Sequence, residues 1–433
     1  MAQAGIESAV TKSDVFAFDV GIIGLGYVGL PTALAFHAAG LRVLALDVSA
    51  ERLGAIGLRH VDLLDVDMER LGVALDDQAS FVLTDAPSRV TEAEVLIVCV
   101  PTPVDEHLVP DLTALSAACA SVVTNARAGQ TLLLTSTTYV GCTRDLLVKP
   151  LIERGLRPGH EVFVAFAPER IDPGNSRHPA HEVPRVVGGV TPECLRRAST
   201  VLARGSGEVY GLSSPEAAEL TKLYENTFRA VNISLANEFA DIGRTLKIDI
   251  AEVVHAASTK PYGFLPFWPG PGVGGHCIPC DPHYLLWQLR GHRVSAPMIE
   301  TAMGLIARRP GQVFTRAGEI LASLGKTLAG ASILVVGVAY KPGVSDVRES
   351  PALEIIDRLT EAGATVAYAD ELVSAIRVRG GELKALLEPG AAEWDLVVVH
   401  TVHPTTKTHW LTKHRAVLDT TYRLTDLPRR WTL

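Results

Sequence analysis

A glycine-rich turn between two apolar runs constrains the fold of this chain more than any other feature. The segment DVGIIGLGYVGLPTALAFHAAGLRVLALDVS, residues 19–49, predicts strand, turn, helix and strand. Gly24 allows the tight turn, Gly26 lets a pyrophosphate approach the backbone, and Gly29 lets the helix pack on the strand. Asp47 follows the second strand, where it would bind ribose hydroxyls and repel the 2′-phosphate of NADP. The segment predicts an NAD site, the alternative being a structural glycine turn in another α/β protein.

Three further apolar runs end in polar or proline-containing sequence. They cover residues 95–100, 131–135 and 162–166, and each suits a buried parallel strand. In an open parallel sheet, ligands bind at the carboxyl ends of the strands. A single Thr or Ser there could equally be a helix cap or a turn residue, so the prediction depends on the whole set. We expect one crevice lined by Thr102, Ser136, Thr137, Glu169 and Arg170.

A long helical pattern and a second nucleotide-type fold follow. Apolar residues recur at helical spacing over 213–246, which predicts a helix of roughly 45 Å that joins domains or builds a dimer interface. From Ala331 the strand, loop, helix, strand pattern returns, with Gly337 but without a second GxGxxG motif. The loop instead carries Lys341, Asp346, Arg348 and Glu349.

We therefore predict an α/β protein with two Rossmann-like, doubly wound parallel-sheet domains joined by a long central helix. Residues 1–212 would form the NAD-binding domain, and 213–325 a central helical region that carries a cysteine-containing loop. Residues 326–433 would form the second Rossmann-like domain. Two such domains would place a substrate in the cleft between them.

The stretch WPGPGVGGHCIPCDPHYL, residues 268–285, admits three chemistries: a zinc knuckle, a dithiol redox pair, or one thiol nucleophile in a rigid loop. A zinc site usually has a second Cys or His pair at short distance, and only His276 and His283 are near. A thioredoxin-like pair should follow a strand and open a helix, whereas PGPGVGG precedes Cys277. We predict no metal site, and we favour the nucleophile.

Bulk composition excludes several classes of protein. Apolar residues make up 47% of the 433-residue chain and charged residues 20%, as in a folded globular protein. A formal net charge of -8 argues against a nucleic-acid or anionic-membrane partner. The first twenty residues lack a secretory pattern, and no apolar run approaches the roughly 18 residues that span a bilayer. We therefore expect a cytoplasmic protein.

Six motifs together resemble the UDP-sugar 6-dehydrogenases, the group that oxidises UDP-glucose, UDP-N-acetylglucosamine and UDP-N-acetylmannosamine. The motifs are GLGYVGLP (24–31), VPTPVD (100–105), APERIDPGN (167–175), LTKLYENTFRAVNISLANE (220–238), PGPGVGGHCIPCDPHYL (269–285) and KPGVSDVRESP (341–351). The resemblance implies two Rossmann-like domains, the second binding the UDP-sugar, and a homodimer formed through the long helix. It also implies a role in uronic acid and polysaccharide biosynthesis.

The resemblance implies a specific reaction. Such enzymes oxidise the sugar C6 alcohol twice, consuming two NAD and one water. Cys277 would add to the intermediate aldehyde, forming a thiohemiacetal and then a thioester that water hydrolyses. Lys222 would steady charge on the C6 oxygen with help from Asn226, and Asp281 would position water and Lys222. Thr137 would hold the water, and Glu169 would act as acid or base in hydrolysis.

The full set of expected contacts is larger than these six catalytic residues. We expect NAD to contact Gly24, Gly26, Tyr27, Val28, Gly29, Asp47, Arg52, Thr102, Ser136, Thr137 and Arg348. We expect the nucleotide sugar to contact Glu169, Arg170, Lys222, Asn226, Phe264, Gly272, Gly274, Gly275 and Lys341.

The substrate is less constrained than the reaction. The PER-x-DPG form of residues 168–174 and the segment FLPFWPGPGVGGHCIP resemble the N-acetylhexosamine branch, especially UDP-N-acetylglucosamine 6-dehydrogenases. UDP-glucose or TDP-glucose remains an alternative, since small pocket changes shift specificity by only about 1–3 kcal/mol. Two other classes are a non-catalytic nucleotide-sugar-binding protein and a 6-phosphogluconate- or hydroxyacid-type dehydrogenase. Cys280 departs from the family pattern, and a reversible disulfide with Cys277 is a further hypothesis.

Overall fold

A computed structural model describes residues 16–170, 182–205, 207–427 and 429–433. The described chain forms two compact units, and the boundary between them falls inside one long helix. The first unit comprises the chain up to Thr102 together with Asp111–Thr221, and the second comprises Pro103–Pro110 and Lys222–Leu433. The division into 1–212, 213–325 and 326–433 stays a prediction.

The first unit is built on an eight-stranded sheet. The strands are β1 (Phe18–Ile23), β2 (Val43–Leu46), β3 (Phe81–Thr84), β4 (Ala93–Val98), β5 (Thr131–Leu134), β6 (Phe163–Phe166), β7 (Arg185–Gly189) and β8 (Val209–Leu212). Their order is β3-β2-β1-β4-β5-β6-β7-β8, and every neighbouring pair is parallel except β6 with β7. The reversal of strand order at β1 and β4 is the hallmark of a doubly wound sheet.

Helices cover both faces of this sheet. They are α1 (Gly29–Ala38), α2 (Ala50–Gly57), α3 (Asp65–Asp76), α4 (Thr113–Asn125), α5 (Lys149–Glu153) and α6 (Pro192–Gly205), with short 3₁₀ and π turns at Pro87–Glu92 and Arg144–Val148. Strand β5 shows why the sequence is apolar throughout. Leu132 and Leu134 belong to one hydrophobic core and Leu133 to another, because successive side chains of a strand point to opposite faces.

The long helix predicted over 213–246 is α7, Pro215–Leu246, with 32 residues. At 1.5 Å per residue it measures roughly 48 Å. Ser214 accepts a hydrogen bond at 3.2 Å from the backbone N–H of Ala217, which caps the N-terminus of the helix.

The second unit contains a smaller, entirely parallel sheet. Its strands are β9 (Ser332–Val336), β10 (Thr365–Ala369), β13 (Leu396–Val399), β14 (Val417–Asp419) and β15 (Arg430–Trp431), in the order β10-β9-β13-β14-β15, and a separate hairpin pairs β11 (Ala375–Val378) with β12 (Gly381–Lys384). The helices are α8 (Ile250–Ser258), α9 (Cys277–His292), α10 (Pro297–Ser323) and α11 (Pro351–Glu361), with 3₁₀ turns at Pro389–Ala391 and His409–Lys413.

The fold class predicted from the sequence is confirmed: both sheets are of the nucleotide-binding type, and a long helix connects their units. Strand boundaries differ slightly from the prediction, since β4 covers Ala93–Val98 rather than 95–100. None of the helices in the described part of the chain is both long and apolar enough to cross a membrane.

Candidate active site

The glycine turn of the first unit has a geometry that only glycines permit. Gly24 has a φ of +89°, and a Cβ on Gly29 would lie 1.7 Å from the carbonyl oxygen of Gly24. A Cβ on Gly26 would meet nothing within 4 Å, so the backbone there is open to a ligand. Helix α1 starts at Gly29, and its first N–H groups and positive dipole end face the turn. These residues fit the pyrophosphate of NAD.

Asp47 holds the glycine turn in place and can also bind a ribose hydroxyl. One carboxylate oxygen accepts a hydrogen bond from the Leu25 backbone N–H at 2.8 Å, and the other accepts one from Ser49 N–H at 2.9 Å. Arg52 braces the same turn, because its Nε donates to the Leu25 carbonyl at 2.8 Å. Each carboxylate oxygen accepts more than one hydrogen bond, so the half-buried Asp47 keeps capacity for a ribose hydroxyl.

The predicted polar residues at the strand ends lie where β4, β5 and β6 stop. Thr102 and Ser136 are buried, and Thr137 is half-buried. Ser136 Oγ donates to the Val100 carbonyl at 2.7 Å, which ties the loop after β5 to the loop after β4.

Glu169 is buried and paired with a residue that sequence reasoning missed. Arg185 Nη1 donates to Glu169 Oε2 at 2.5 Å, and the two side chains are 10% and 11% exposed. The Arg170 backbone N–H donates to Glu169 Oε1 at 2.8 Å. Arg185 is the first residue of β7, and its one sequence signal is a charged residue at the start of a short apolar run. Residues 171–175 of the APERIDPGN motif lie outside the described part of the chain.

In the second unit, Cys277 is the first residue of helix α9. The prediction that Cys277 lies in a rigid loop is wrong, because the loop ends at His276 and the thiol stands at a helix N-terminus. The preceding glycines let the loop press against residues 340–349. Gly275, with φ +79°, donates its N–H to the Arg348 carbonyl at 2.9 Å, and a Cβ on Gly274 would lie 2.6 Å from the Glu349 carbonyl oxygen.

The electrostatic surroundings of Cys277 are mixed. The side chain is exposed, but removal of water by nearby protein raises the pKa of its thiol, and the Asp281 carboxylate raises it further. The cations Lys222, Arg348 and Arg229 oppose this rise in pKa. Because the rise prevails, the thiol is mainly protonated near neutral pH, and forming the thiolate requires a proton acceptor.

Asp281 is a candidate acceptor within the second unit, since its carboxylate acts electrostatically on the thiol. It lies one turn after Cys277 on α9, and Asn226 Nδ2 on α7 donates to its Oδ2 at 2.5 Å. Burial raises the pKa of Asp281 to about 6, although Lys222 and the Asn226 hydrogen bond lower it. A carboxyl group that titrates near neutrality is suited to general acid–base catalysis. The structure thus brings Cys277, Lys222, Asn226 and Asp281 together.

The other candidates for this segment are less favoured. Cys280 is buried, and burial raises the pKa of its thiol to about 12, so it is a packing residue rather than a nucleophile. All six cysteines are free thiols. Among residues 16–170, 182–205, 207–427 and 429–433, no group of three or more His, Cys, Asp or Glu side chains could hold a metal ion.

The remaining predicted substrate residues also lie in the second unit. Phe264 is 37% exposed, Gly272 has φ +143°, and Lys341 lies in the loop after β9. Arg348, predicted to contact NAD, belongs to this unit, where its Nη2 donates to Asp346 Oδ2 at 2.7 Å.

Three domains of one known protein family match most of the chain. Residues 18–204 match the NAD binding domain of the UDP-glucose/GDP-mannose dehydrogenase family, residues 216–305 its central domain and residues 334–426 its UDP binding domain. The chain is 33% identical over 362 residues to UDP-N-acetyl-D-glucosamine 6-dehydrogenase of Pseudomonas aeruginosa, covering 82% of this chain and 83% of the relative. It is 31% identical over 409 residues to UDP-N-acetyl-D-mannosamine dehydrogenase of Pyrococcus horikoshii, covering 92% and 94%.

Solved structures show the same similarity. The structure of the UDP-D-ManNAc dehydrogenase from Pyrococcus horikoshii superposes with a TM-score of 0.86 at 30% identity, covering 95% of this chain and 98% of the other. The native structure of the UDP-N-acetyl-mannosamine dehydrogenase from Staphylococcus aureus gives 0.81 at 26% identity, covering 96% and 98%.

The glycine geometry predicts that one of two matched substitutions lowers stability and the other lowers NAD affinity. Gly29→Ala should lower the free energy of unfolding by about 2–4 kcal/mol, because its Cβ collides with the Gly24 carbonyl. Gly26→Ala should change that free energy by less than about 0.5 kcal/mol, yet weaken NAD binding at least about tenfold, because its Cβ enters the pyrophosphate path. Urea unfolding and calorimetric NAD titration measure both. Unchanged NAD affinity in Gly26→Ala would exclude this turn as the pyrophosphate site.

The raised pKa of Asp281 predicts a pH-dependent effect on stability. The folded pKa of about 6 exceeds the ordinary value of 3.8, so the folded state holds the extra proton between these values. The contribution of Asp281 to the free energy of unfolding is therefore fully present below about pH 4, and it is lost as pH rises through about 6. Asp281→Asn removes this loss, and should raise the free energy of unfolding by about 1–3 kcal/mol at about pH 7.5 but not at about pH 4.

Denaturant unfolding of wild type and Asp281→Asn across this pH range measures the difference. The exposed Glu238→Gln on α7 makes the same change of charge and serves as the control, which should show no such pH-dependent gain. A wild type more stable than Asp281→Asn near neutral pH would show that Lys222 and Asn226 outweigh the cost of burying the carboxylate.

Proposed function

Because the chain belongs to the UDP-glucose/GDP-mannose dehydrogenase family, we propose that it oxidises the C6 alcohol of a UDP-N-acetylhexosamine to the carboxylate. The chain is an NAD-dependent dehydrogenase of nucleotide sugars, and its NAD binding and UDP binding domains are both present. The observation that carries the proposal is the exposed thiol of Cys277 beside Lys222 and a carboxyl group of raised pKa. An oxidation that stopped at the aldehyde would have no use for this thiol.

The proposed chemistry balances with one water and two equivalents of cofactor. NAD held at the turn of Gly24, Gly26 and Gly29 would supply the oxidising power for both stages, which is the uptake of one hydride at each. Between the stages, the sulfur of Cys277 bonds to the aldehyde carbon and its proton passes to a base. The resulting thiohemiacetal is oxidised to a thioester. Water then attacks the thioester carbon, the sulfur–carbon bond breaks, and the thiol is regenerated with release of the sugar carboxylate.

Each residue of the thiol site has a distinct proposed task. Lys222 stabilises negative charge on the C6 oxygen, an effect that can lower a barrier by about 3 kcal/mol in a site that excludes water. Asp281, fixed by Asn226, takes and returns the thiol proton, which its pKa of about 6 permits near neutral pH.

Hydrolysis of the thioester is assigned to residues of the first unit. Glu169 activates water or protonates the leaving group, and Thr137 holds that water. The contact with Arg185 fixes the position of the Glu169 carboxyl group beside the end of β6. Arg185 was not among the residues predicted from the sequence.

The sugar is proposed to be UDP-N-acetylglucosamine or its manno epimer. Relatives named for each of these two sugars match this chain at 31–33% identity over most of its length. UDP-glucose and TDP-glucose are the alternative substrates. A non-catalytic role is disfavoured, since Cys277, Lys222 and Glu169 are all retained. The cytoplasmic location and the role in polysaccharide biosynthesis stay predictions.

The decisive measurement is the stoichiometry of NADH production with UDP-GlcNAc, UDP-ManNAc, UDP-glucose and TDP-glucose in parallel. We expect two NADH per sugar with one of the acetamido sugars. Cys277→Ala should abolish complete turnover while leaving NAD affinity unchanged, because the thiol lies outside the NAD binding domain.

The matched control for that variant is Cys280→Ala, which removes the neighbouring, buried thiol of the same helix and should retain most activity. Full activity in Cys277→Ala would overturn the thioester mechanism. One NADH per sugar would instead identify an alcohol dehydrogenase that releases the aldehyde.

We also propose that the chain forms a homodimer through helix α7. An apolar stripe on this helix is exposed at intervals of three, four and seven residues, as one helix face requires: Tyr224, Phe228, Leu235, Phe239, Ile242 and Leu246. Such a continuous apolar surface usually marks a protein–protein interface. A second copy of the same helix provides a self-complementary partner with the matching apolar stripe.

Phe239→Glu should convert the dimer to monomer, since it places a charge in the middle of this stripe. Arg244→Glu is the control: it introduces an acidic side chain at an exposed position about half a turn around the same helix. Light scattering after size-exclusion chromatography reports the mass. A wild type that elutes as a monomer, or a Phe239→Glu variant that stays dimeric, would exclude this interface.

A further inference from the structure

A buried Asp–His pair in the second unit has no place in the proposed reaction. Asp370 directly follows β10 and His403 follows β13 by four residues. His403 Nε2 lies 3.1 Å from Asp370 Oδ1, and the two side chains are 1% and 0% exposed. Neither residue was singled out from the sequence. Because they are buried, they cannot contact substrate themselves, and any role must act through what they hold.

What they hold is the loop that follows β9. The Gly343 backbone N–H donates to His403 Nδ1 at 3.0 Å. The Nδ1 atom therefore carries no proton, and in the neutral ring Nε2 must carry it and donate to Asp370. On its other oxygen, Asp370 accepts hydrogen bonds from the N–H groups of Val338 at 2.8 Å and Ala339 at 3.2 Å. The pair thus fixes both ends of residues 338–343.

Comparison with the first unit shows that this arrangement is specific to the second. Asp47 and Asp370 occupy the same position, after the second strand of each nucleotide-type fold. Asp47 is half-buried and binds one N–H of the turn after β1. Asp370 accepts from Leu372 and Val373 as well as from the loop and His403, so its buried carboxylate has no accessible capacity for a ribose.

The loop between these anchors carries Lys341, and it lies in the part of the chain that matches the family's UDP binding domain. We propose that Asp370 and His403 are positioning residues, which hold this loop in the conformation that binds the diphosphate of the nucleotide sugar. The inference rests on the proposed function, because it takes Lys341 to be a substrate-binding residue. A preformed loop binds its ligand more tightly, since the loop does not have to be ordered on binding.

Two substitutions separate the contacts that His403 makes. His403→Asn places an oxygen where Nδ1 lies, so it can still accept from Gly343 while losing the contact to Asp370. His403→Gln places an amide nitrogen where Nε2 lies, so it can still donate to Asp370 while losing the acceptor for Gly343. Gly343 is exposed and water can satisfy its N–H, so His403→Gln should release the loop without unfolding the domain.

The experiment measures calorimetric binding of UDP, together with KM and kcat for the nucleotide sugar and KM for NAD, in the full-length wild type and both variants. We expect His403→Gln to raise the UDP dissociation constant and the sugar KM about tenfold. This is the effect expected from losing one hydrogen bond together with the order that it gives the loop. His403→Asn should stay within about threefold of wild type. KM for NAD and kcat should change little in either variant.

The outcomes separate this inference from the proposed function. If His403→Gln binds UDP like wild type, or if both variants lose UDP affinity equally, the bond to Gly343 does not position a substrate loop and the inference is wrong. Unfolding curves of both variants test whether a loss merely reflects destabilisation: the inference also fails if UDP affinity falls only in proportion to lost folded protein. A wild type that oxidises no nucleotide sugar would overturn the proposed function instead.

Discussion

The hydrogen bond from Asn226 to Asp281 is the contact on which the thiol site depends. It joins helix α7 to helix α9, and both side chains are buried. Cys277 begins α9 one turn before Asp281, so the bond that fixes the carboxyl group also fixes where the thiol stands. Burial raises the pKa values of both groups, and Lys222 acts against both rises. The site therefore holds a thiol and a proton acceptor whose pKa values are set by packing.

The two nucleotide-type folds use one framework in different ways. In both, an acid after the second strand accepts hydrogen bonds from the loop after the first strand. In the first unit that loop contains three glycines and leads into a helix, and its backbone is open to a phosphate at Gly26. In the second unit the acid is fully buried with a histidine, and the loop carries a lysine instead. A backbone site suits a dinucleotide pyrophosphate, and a lysine supplies a charge for a terminal diphosphate.

Much of the fold followed from local sequence patterns. The strands β1, β2 and β5 are short apolar runs, and the eight-stranded sheet is covered on both faces, so their side chains are buried on either side and no periodicity of two appears in the sequence. Helix α7 was equally clear, since Ser214 and Pro215 mark its start and the apolar spacing continues to Leu246. Helix α9 was harder to predict, because Pro279 and Pro282 in its first two turns are residues more typical of a loop. Proline is tolerated in the first turn of a helix. Pro282 lies further inside, where a proline removes a backbone hydrogen bond, so the local sequence disfavours a helix that the tertiary structure nevertheless contains.

The sequence by itself determined the nucleotide-binding folds, the family and the identity of the groups that can carry the chemistry, because each depends on residues that are neighbours in the chain. Only the tertiary structure decided how those groups behave. Arg185 lies 16 residues from Glu169, Asp281 lies 55 from Asn226, and His403 lies 60 from Gly343. The pKa values of Cys277 and Asp281 likewise depend on which atoms exclude water from them. Desolvation and long-range hydrogen bonds are properties of packing, which a linear sequence does not display.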